Sequence, residues 1–231
     1  MHIPEGYLSP QTCGVMGAAM LPIWAVASRK VSQSLDKKNI PMMAMGAVFS
    51  FIIMMFNVPI PDGTTAHAVG ATLLAIALGP WAACISITVA LVVQALLFGD
   101  GGVLALGANC FNMAFLAPFT GYILYQLALR LKANKILASA VGAYVGINMA
   151  AIATGVELGL QPALFHTAGG APLYFPYGMN LSLPAMLFAH LTIAVAAEAV
   201  VTGLAVYYLQ RIDEEEHLLY RASSRLKGVV S

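Results

Sequence analysis

TTAHAVGATLLAIALGPWAACISITVALVVQALLF, residues 64–98, is the stretch of sequence that decides the fold. It carries no Asp, Glu, Lys or Arg. As a single helix it would be roughly 50 Å long, whereas the hydrocarbon core of a bilayer is about 30 Å thick. Gly79 and Pro80 interrupt it, and this pair is typical of one helix ending and another beginning. The stretch therefore predicts two membrane helices, over residues 64–78 and 81–98.

The rest of the chain has the same apolar character. Hydrophobic residues make up 60% of the 231 residues and charged residues only 9%, against roughly 25% charged in soluble proteins. The apolar runs are continuous rather than alternating, which excludes a closed β-barrel. A net charge of +1 offers no basic face for nucleic acid. We expect an all-α integral membrane protein with seven transmembrane helices, over residues 12–27, 41–56, 64–78, 81–98, 103–129, 136–160 and 183–209.

The distribution of charge supports the same count. With seven spans, one side of the membrane receives all eleven basic residues, and the other receives Glu5, Asp62 and Asp100. A merged third and fourth span would separate the basic cluster at 130–135 from that at 29–38. The positive-inside rule then places the N-terminus outside and the C-terminus in the cytoplasm. We expect one membrane domain over residues 1–211 and a short cytoplasmic tail over residues 212–231.

Two features of the chain concern processing and cysteine chemistry. The N-terminus lacks a basic region, a short apolar region and a cleavage site, so we expect no removable signal peptide. Met1 is expected to be retained, because His2 is large. Cys13, Cys84 and Cys110 are far apart and show no spacing typical of zinc or iron–sulfur sites. They are expected to be buried apolar residues.

The chain start, MHIPEGYLSP, is a candidate metal site. A free α-amine, the amide nitrogen of His2 and its Nδ1 can close two small chelate rings around one ion. The amide must lose its proton, which late divalent metals such as Ni(II) or Cu(II) bring about. These three nitrogens leave one position open in the coordination plane of the ion. Pro4 at the second position of a turn, with Gly6 two residues later, would hold this segment bent. A histidine in second position can also be incidental.

Residues 62–70, DGTTAHAVG, supply a second candidate. Asp62 or Thr64 can cap the third helix and support the site from there. His67 would then lie in the first helical turn, on the same side of the membrane as Met1 and His2. The helix dipole disfavours a protonated imidazole at that end. His67 is thus a candidate fourth nitrogen, and four planar nitrogens suit Ni(II) or Cu(II) better than zinc, magnesium or calcium. A hydrogen-bonded histidine at the membrane surface is the alternative.

Residues 94–113, QALLFGDGGVLALGANCFNM, form the third candidate. Their glycines permit a tight outer turn, and Asn109 and Asn112 share one helix face directed into the bundle. These amides can orient a group that binds the metal. Interhelical hydrogen bonds are the alternative.

Several other polar residues have two interpretations. Glu157, Glu198 and His190 lie within membrane spans, where they can pass protons or metal, or where a neutral glutamic acid can join helices. His166, in the loop over residues 161–182, can cover the site or be exposed. Gly14 and Ala18 form a pair of small residues that allows close helix approach, either within the bundle or for docking another membrane subunit.

Taken together, the start MHIPEGYLSP, AHAVG around His67, LGPW at residues 78–81 and QALLFGDGG…LGANCFNM closely resemble the NikM/CbiM family. Those proteins are the substrate-specific S components of energy-coupling factor (ECF) transporters for nickel or cobalt. The resemblance runs through most of the chain. It implies a seven-helix subunit with its N-terminal segment inserted into the bundle, and an ion held by Met1, His2 and His67. The start is most similar to the nickel branch.

The resemblance also implies function and partners. High-affinity Ni(II) capture outside the cell membrane of a prokaryote would serve ATP-driven uptake, with no prosthetic group. The partners would be a transmembrane coupling subunit, two cytoplasmic ATPases and, in some systems, a small auxiliary membrane subunit. The chain has no phosphate-binding GxxxxGK[ST] motif, so it is expected to be a binding subunit rather than an enzyme. The alternatives are a cobalt-specific S component and a self-sufficient metal permease.

Overall fold

The computed structural model describes residues 1–34, 39–60 and 64–227. An N-terminal segment, residues 1–9, precedes two helices, α1 (Pro10–Ser34) and α2 (Asn39–Met55). A short antiparallel hairpin follows, formed by β1 (Val58–Ile60) and β2 (Thr64–Ala66), with Val58 opposite Ala66. The remaining elements are helical. They are α3 (Ala71–Leu78), α4 (Pro80–Val93), α5 (Leu106–Asn109), α6 (Ala117–Arg130), α7 (Lys135–Gly159), α8 (Gln161–Leu164), α9 (Met179–Ala189) and α10 (Val195–Lys227).

Three π-helical turns interrupt these helices. The turn π1 (Gln94–Phe98) extends α4, π2 (Cys110–Leu116) joins α5 to α6, and π3 (His190–Ala194) joins α9 to α10. A π turn shifts the helical register by one residue, and such turns are frequent at functional sites. Gln94 and His190, the first residues of two of these turns, are both fully buried.

The predicted break between the third and fourth spans is confirmed. α3 ends at Leu78, α4 starts at Pro80, and Gly79 between them has a φ of +86°. That left-handed angle favours glycine. Proline is well placed in the first turn of α4, where its missing N–H would have no helical partner.

The predicted helix over residues 64–78 is wrong in its first half. Thr64 lies in a strand, and α3 begins only at Ala71, after Gly70 with a φ of +71°. β-branched threonines suit a strand, and the left-handed Gly70 prevents the helix from starting earlier. His67 therefore lies in the connection before α3, not in its first turn. Asp62 lies outside the described residues.

Four helical stretches are long and apolar enough to cross a bilayer, judged by length and composition over the described residues. They are Pro10–Gln33, Pro80–Phe98, Lys135–Leu164 and Met179–Ile212; Ile40–Met55 is a shorter apolar helix. α3 is about 12 Å long and cannot cross alone. The mostly helical, apolar structure agrees with a multi-pass membrane protein. Seven spans, the orientation and a domain boundary at residue 211 stay predictions, and α10 itself continues past that residue.

The helices pack closely around α7, which contacts α6, α9 and α10. A Cβ atom on Gly142 of α7 would lie 2.6 Å from the carbonyl oxygen of Gly121 in α6, so only glycine permits this approach. The three cysteines are buried and free, as predicted. Met1 belongs to the same core cluster as Ala66, Met186 and Ala194. The start of the chain therefore lies inside the helical bundle.

Candidate metal centre

The first three residues are enclosed by protein. Met1 and Ile3 are fully buried, and His2 is 3% exposed. The predicted turn follows, with the Tyr7 N–H donating to the Pro4 carbonyl at 3.4 Å and Gly6 at a φ of +81°. Pro4 occupies the first position of this turn rather than the second. The turn directs the chain from the buried site back toward α1.

The main chain of Ile3 is held from both sides. Its N–H donates to Asn109 Oδ1 at 2.8 Å, and its carbonyl accepts from Asn109 Nδ2 at 3.2 Å and from the Gly102 N–H at 2.9 Å. A Cβ on Gly102 would lie 2.8 Å from the backbone nitrogen of Glu5, so a side chain there would push the segment away. These contacts fix the position of His2, the preceding residue.

The second half of the segment, residues 5–9, is held by α8 and by two connections between helices. Gln161 Oε1 accepts from the Ser9 N–H at 2.9 Å, and the Phe175 N–H donates to the Tyr7 carbonyl at 3.1 Å. Glu5 accepts from the Leu104 N–H at 3.1 Å. The predicted loop over residues 161–182 contains α8 and the first turn of α9. The connection between these two helices covers the N-terminal segment through Phe175, whereas His166 in the same connection is exposed.

The His2 ring is oriented by a residue that the sequence analysis did not single out. His2 Nε2 lies 3.0 Å from Gln94 Oε1. Because an amide oxygen only accepts, Nε2 carries the ring hydrogen and Nδ1 carries a lone pair. Nδ1 is buried and has no hydrogen-bond partner, and the Asp100 carboxylate lies 3.6 Å from it. Two electron-pair donors that face each other leave a position suited to a cation.

His67 lies beside His2. The two ring centroids are 4.6 Å apart, and His67 is 1% exposed. Its Nδ1 donates to the Ala68 carbonyl at 3.1 Å, so its Nε2 carries the lone pair, and that atom is also buried without a partner. The Met1 amine donates to the Thr65 carbonyl. The hairpin thus brings the chain start close to His67.

Burial determines the protonation of these nitrogens. It lowers the pKa of the Met1 amine to about 4, partly opposed by Asp100. Burial, followed by the neighbouring amine, lowers the pKa of His2 to about 3 and holds that of His67 well below its usual range. This physical cause differs from the predicted helix dipole. At neutral pH all three groups are uncharged and can donate a lone pair to a metal ion.

No three His, Cys, Asp or Glu side chains form a metal-binding cluster within the described residues. A four-donor site here therefore needs nitrogens of the chain start itself. The amine, the amide nitrogen of His2 and His2 Nδ1 belong to consecutive groups of the chain, and His67 Nε2 is the nearby fourth donor. This set is the one that the sequence predicts, and its role stays a prediction.

The predicted supporting residues differ in their contacts. Asn109 binds Ile3 directly, as described. Asn112 instead donates to Glu157 Oε2 at 2.7 Å and to Thr154 Oγ1 at 3.1 Å, which joins π2 to α7. The hydroxyl of Thr64 contacts Met186 Sδ at 3.3 Å and does not cap α3. Among these residues, Asn109 is the one in direct contact with the N-terminal segment.

Glu198 caps α3 in a way that the sequence analysis missed. Its carboxylate accepts from the N–H groups of Val69, Gly70 and Ala71 at 2.7, 2.8 and 3.0 Å. These are the unpaired donors at a helix start, where the dipole favours negative charge. Glu198 therefore holds the connection that follows His67. The only sequence signal was a carboxylate within an apolar span.

Comparisons with known proteins identify the family of the chain. The family model CbiM, described as the cobalt uptake substrate-specific transmembrane region, matches residues 2–216. The "Probable fused nickel transport protein LarMN" of Lactiplantibacillus plantarum is 56% identical, over 97% of this chain and 68% of that protein. The fused nickel transport protein NikMN of Rhodobacter capsulatus is 50% identical, over 93% and 63%. The chain thus spans about two thirds of the length of these fused relatives.

A solved structure gives the same result. The crystal structure of a transition metal transporter is 70% identical in sequence, with a TM-score of 0.93 over 98% of this chain and 99% of that one. The family model matches most of the chain, and the two relatives are 56% and 50% identical to it. Together these matches establish the family to which the chain belongs. The protein described here belongs to the CbiM family, also written NikM/CbiM, of prokaryotic metal-transport membrane proteins.

Proposed function

We propose that this chain captures Ni(II) on the outer side of the membrane as the substrate-binding subunit of an ATP-driven ECF transporter. The Met1 amine, the deprotonated amide nitrogen and Nδ1 of His2, and Nε2 of His67 are the four ligands. The proposal requires a free α-amine on Met1, which intact-mass measurement of the purified protein checks. A chain with a blocked or extended start would contradict it.

One observation carries this proposal. Buried polar atoms are almost always hydrogen-bonded, yet the buried atoms His2 Nδ1 and His67 Nε2 both lack a partner in two rings 4.6 Å apart. A buried amine lies next to them. Neutral nitrogens kept unprotonated and gathered at one place suit a late divalent metal. The names of the fused relatives, which refer to nickel transport, support the choice of nickel.

Cobalt is the second candidate, because the family description names cobalt uptake. Calorimetric titration with Ni(II), and with Co(II) under anaerobic conditions, distinguishes the two ions. We expect one Ni(II) per chain and the absorption of planar d8 nickel. Tighter binding of cobalt than of nickel would assign the chain to cobalt instead.

The proposed partners are a transmembrane coupling subunit and two cytoplasmic ATPases, and the exposed face of α1 around Gly14 and Ala18 is the proposed docking surface for the coupling subunit. Radioactive nickel uptake by cells that express this chain, alone or with these subunits, tests that dependence. We expect efficient uptake only with the partners. Efficient uptake by the chain alone would indicate a self-sufficient permease.

The number of protons released on nickel binding tests the ligand set. The folded site holds its amine and imidazoles unprotonated, so at neutral pH only the His2 amide gives up a proton, about one per nickel. A free peptide of residues 1–10, with an ordinary amine pKa of 8.0, releases about two. As pH falls from 8 to 6, affinity therefore decreases less steeply for the protein. Calorimetry in buffers of different ionisation enthalpy measures both counts, and equal counts would contradict the buried ligand set.

Replacing Asn109 by alanine tests the two hydrogen bonds that hold the main chain of Ile3. The substitution leaves the N–H and carbonyl of Ile3 without the amide, so His2 loses its fixed position. We expect nickel affinity to fall by roughly 10–100-fold, as for groups that orient metal ligands. Asn148→Ala removes another buried asparagine, which donates to Tyr144 in α7, and should leave affinity unchanged. Equal losses in both variants would indicate a general effect on folding.

A further inference from the structure

His190 presents a third open imidazole nitrogen inside the bundle. It is fully buried, and its Nδ1 lies 2.7 Å from the Met186 carbonyl. A carbonyl only accepts, so Nδ1 carries the hydrogen and Nε2 carries a lone pair. Nε2 is buried without a partner. His190 is thus prepared for coordination in the same way as His2 and His67.

The packing places His190 next to the proposed site. Met186 lies one helical turn before His190 and contacts the hydroxyl of Thr64. Thr65, which follows Thr64 in strand β2, accepts a hydrogen bond from the Met1 amine through its carbonyl. Met186 and Ala194 lie on either side of His190 in the chain and share one core cluster with Met1 and Ala66. The turn π3 also contacts strand β2.

His190 does not complete a three-histidine cluster with His2 and His67 within the described residues. It therefore does not belong to the resting ligand set. A donor that lies beside the four proposed ligands, but is not one of them, is placed to meet an ion that enters or leaves the site. Planar d8 ions exchange ligands through five-coordinate states, in which a new donor approaches from above or below the plane.

We propose that His190 Nε2 is the exchange ligand of the site, a fifth nitrogen that binds the metal ion as it enters or leaves the planar chelate. This proposal rests on the proposed function. One metal–nitrogen bond forms to the neutral imidazole while one bond of the chelate breaks. No electron is transferred, and the imidazole neither gains nor loses a proton.

His190→Asn separates coordination from structure. The asparagine amide nitrogen can replace Nδ1 as donor to the Met186 carbonyl, but no lone pair replaces that of Nε2. Stopped-flow absorption measures the capture of free Ni(II) and its release to a chelator, with purified protein that has its native start. We expect both rates to fall by roughly tenfold or more, with unchanged equilibrium affinity and planar spectrum. Thr192→Ala is the control, because Thr192 lies in the same π turn but is exposed. We expect this variant to keep the wild-type rates.

The outcomes separate the two proposals. Wild-type rates in His190→Asn would overturn the exchange ligand, as would a weaker affinity with an altered spectrum, which would place His190 in the resting set. If the wild-type protein with Ni(II) did not show the absorption spectrum of planar d8 nickel, the proposed function itself would be overturned. His190→Ala is the second variant should the asparagine protein not fold, with added imidazole expected to restore its exchange rates. Failure of imidazole to do so would count against the proposal.

Discussion

Extending the chain by two residues ahead of Met1 is expected to abolish high-affinity nickel binding. The extension converts the terminal amine into an amide and removes one of the four proposed donors. It must also enter a space in which Met1 is already fully buried. Loss of a direct ligand should exceed the roughly 100-fold cost of losing a group that only orients a ligand. Calorimetry and nickel absorption spectra measure the effect.

The length of this extension is important. A single added residue would move histidine to third position, where an amine, two amides and the imidazole form a different four-nitrogen chelate. Two added residues prevent both arrangements. The control inserts the same two residues between Gly169 and Gly170, both exposed in the loop before α9. Unchanged affinity in the extended protein would place the metal elsewhere.

His67→Ala is expected to have an effect of similar size. It removes the only proposed donor outside the chain start, and water would take the fourth position. Affinity should fall by roughly 100-fold or more, and the nickel absorption should move to longer wavelength because oxygen is a weaker-field donor than nitrogen. His166→Ala removes an exposed histidine and should leave both properties unchanged.

The thermal stability of the metal-free protein distinguishes ligand loss from misfolding. Neither His67 Nε2 nor His2 Nδ1 has a protein partner, so removal of the His67 ring leaves no other side chain unpaired. We expect a cavity of about one imidazole and a folded metal-free variant. Unchanged nickel affinity and spectrum in His67→Ala would remove His67 from the site.

Much of the helical framework could be predicted from the sequence, because apolar runs in a membrane protein end at glycine, proline and charge. Gly79-Pro80 is the clearest case. Residues 64–70 could not be predicted correctly, since a short apolar stretch fits a buried strand and a helix equally well. The hairpin depends on pairing between β1 and β2, and on the left-handed Gly70 that delays the start of α3.

The candidate ligands could be identified from the sequence, whereas the residues that hold them in place could not. His2 and His67 stand out as rare polar residues in apolar sequence, and a chelate at the chain start follows from local chemistry. Gln94 and Glu198 bind groups 92 and 129 residues away, His2 and the Val69 N–H. Pairings over such distances depend on the three-dimensional packing. A single polar residue within an apolar span was the only sign of either.

The continuous helix α10 has a mechanical consequence. Its first turn holds Glu198, which grips the connection after His67, and the same helix runs without interruption for 33 residues to Lys227, about 50 Å. A continuous helix of that length is stiff along its axis. We therefore expect a displacement of its far end to be transmitted along the helix axis to the connection that follows His67.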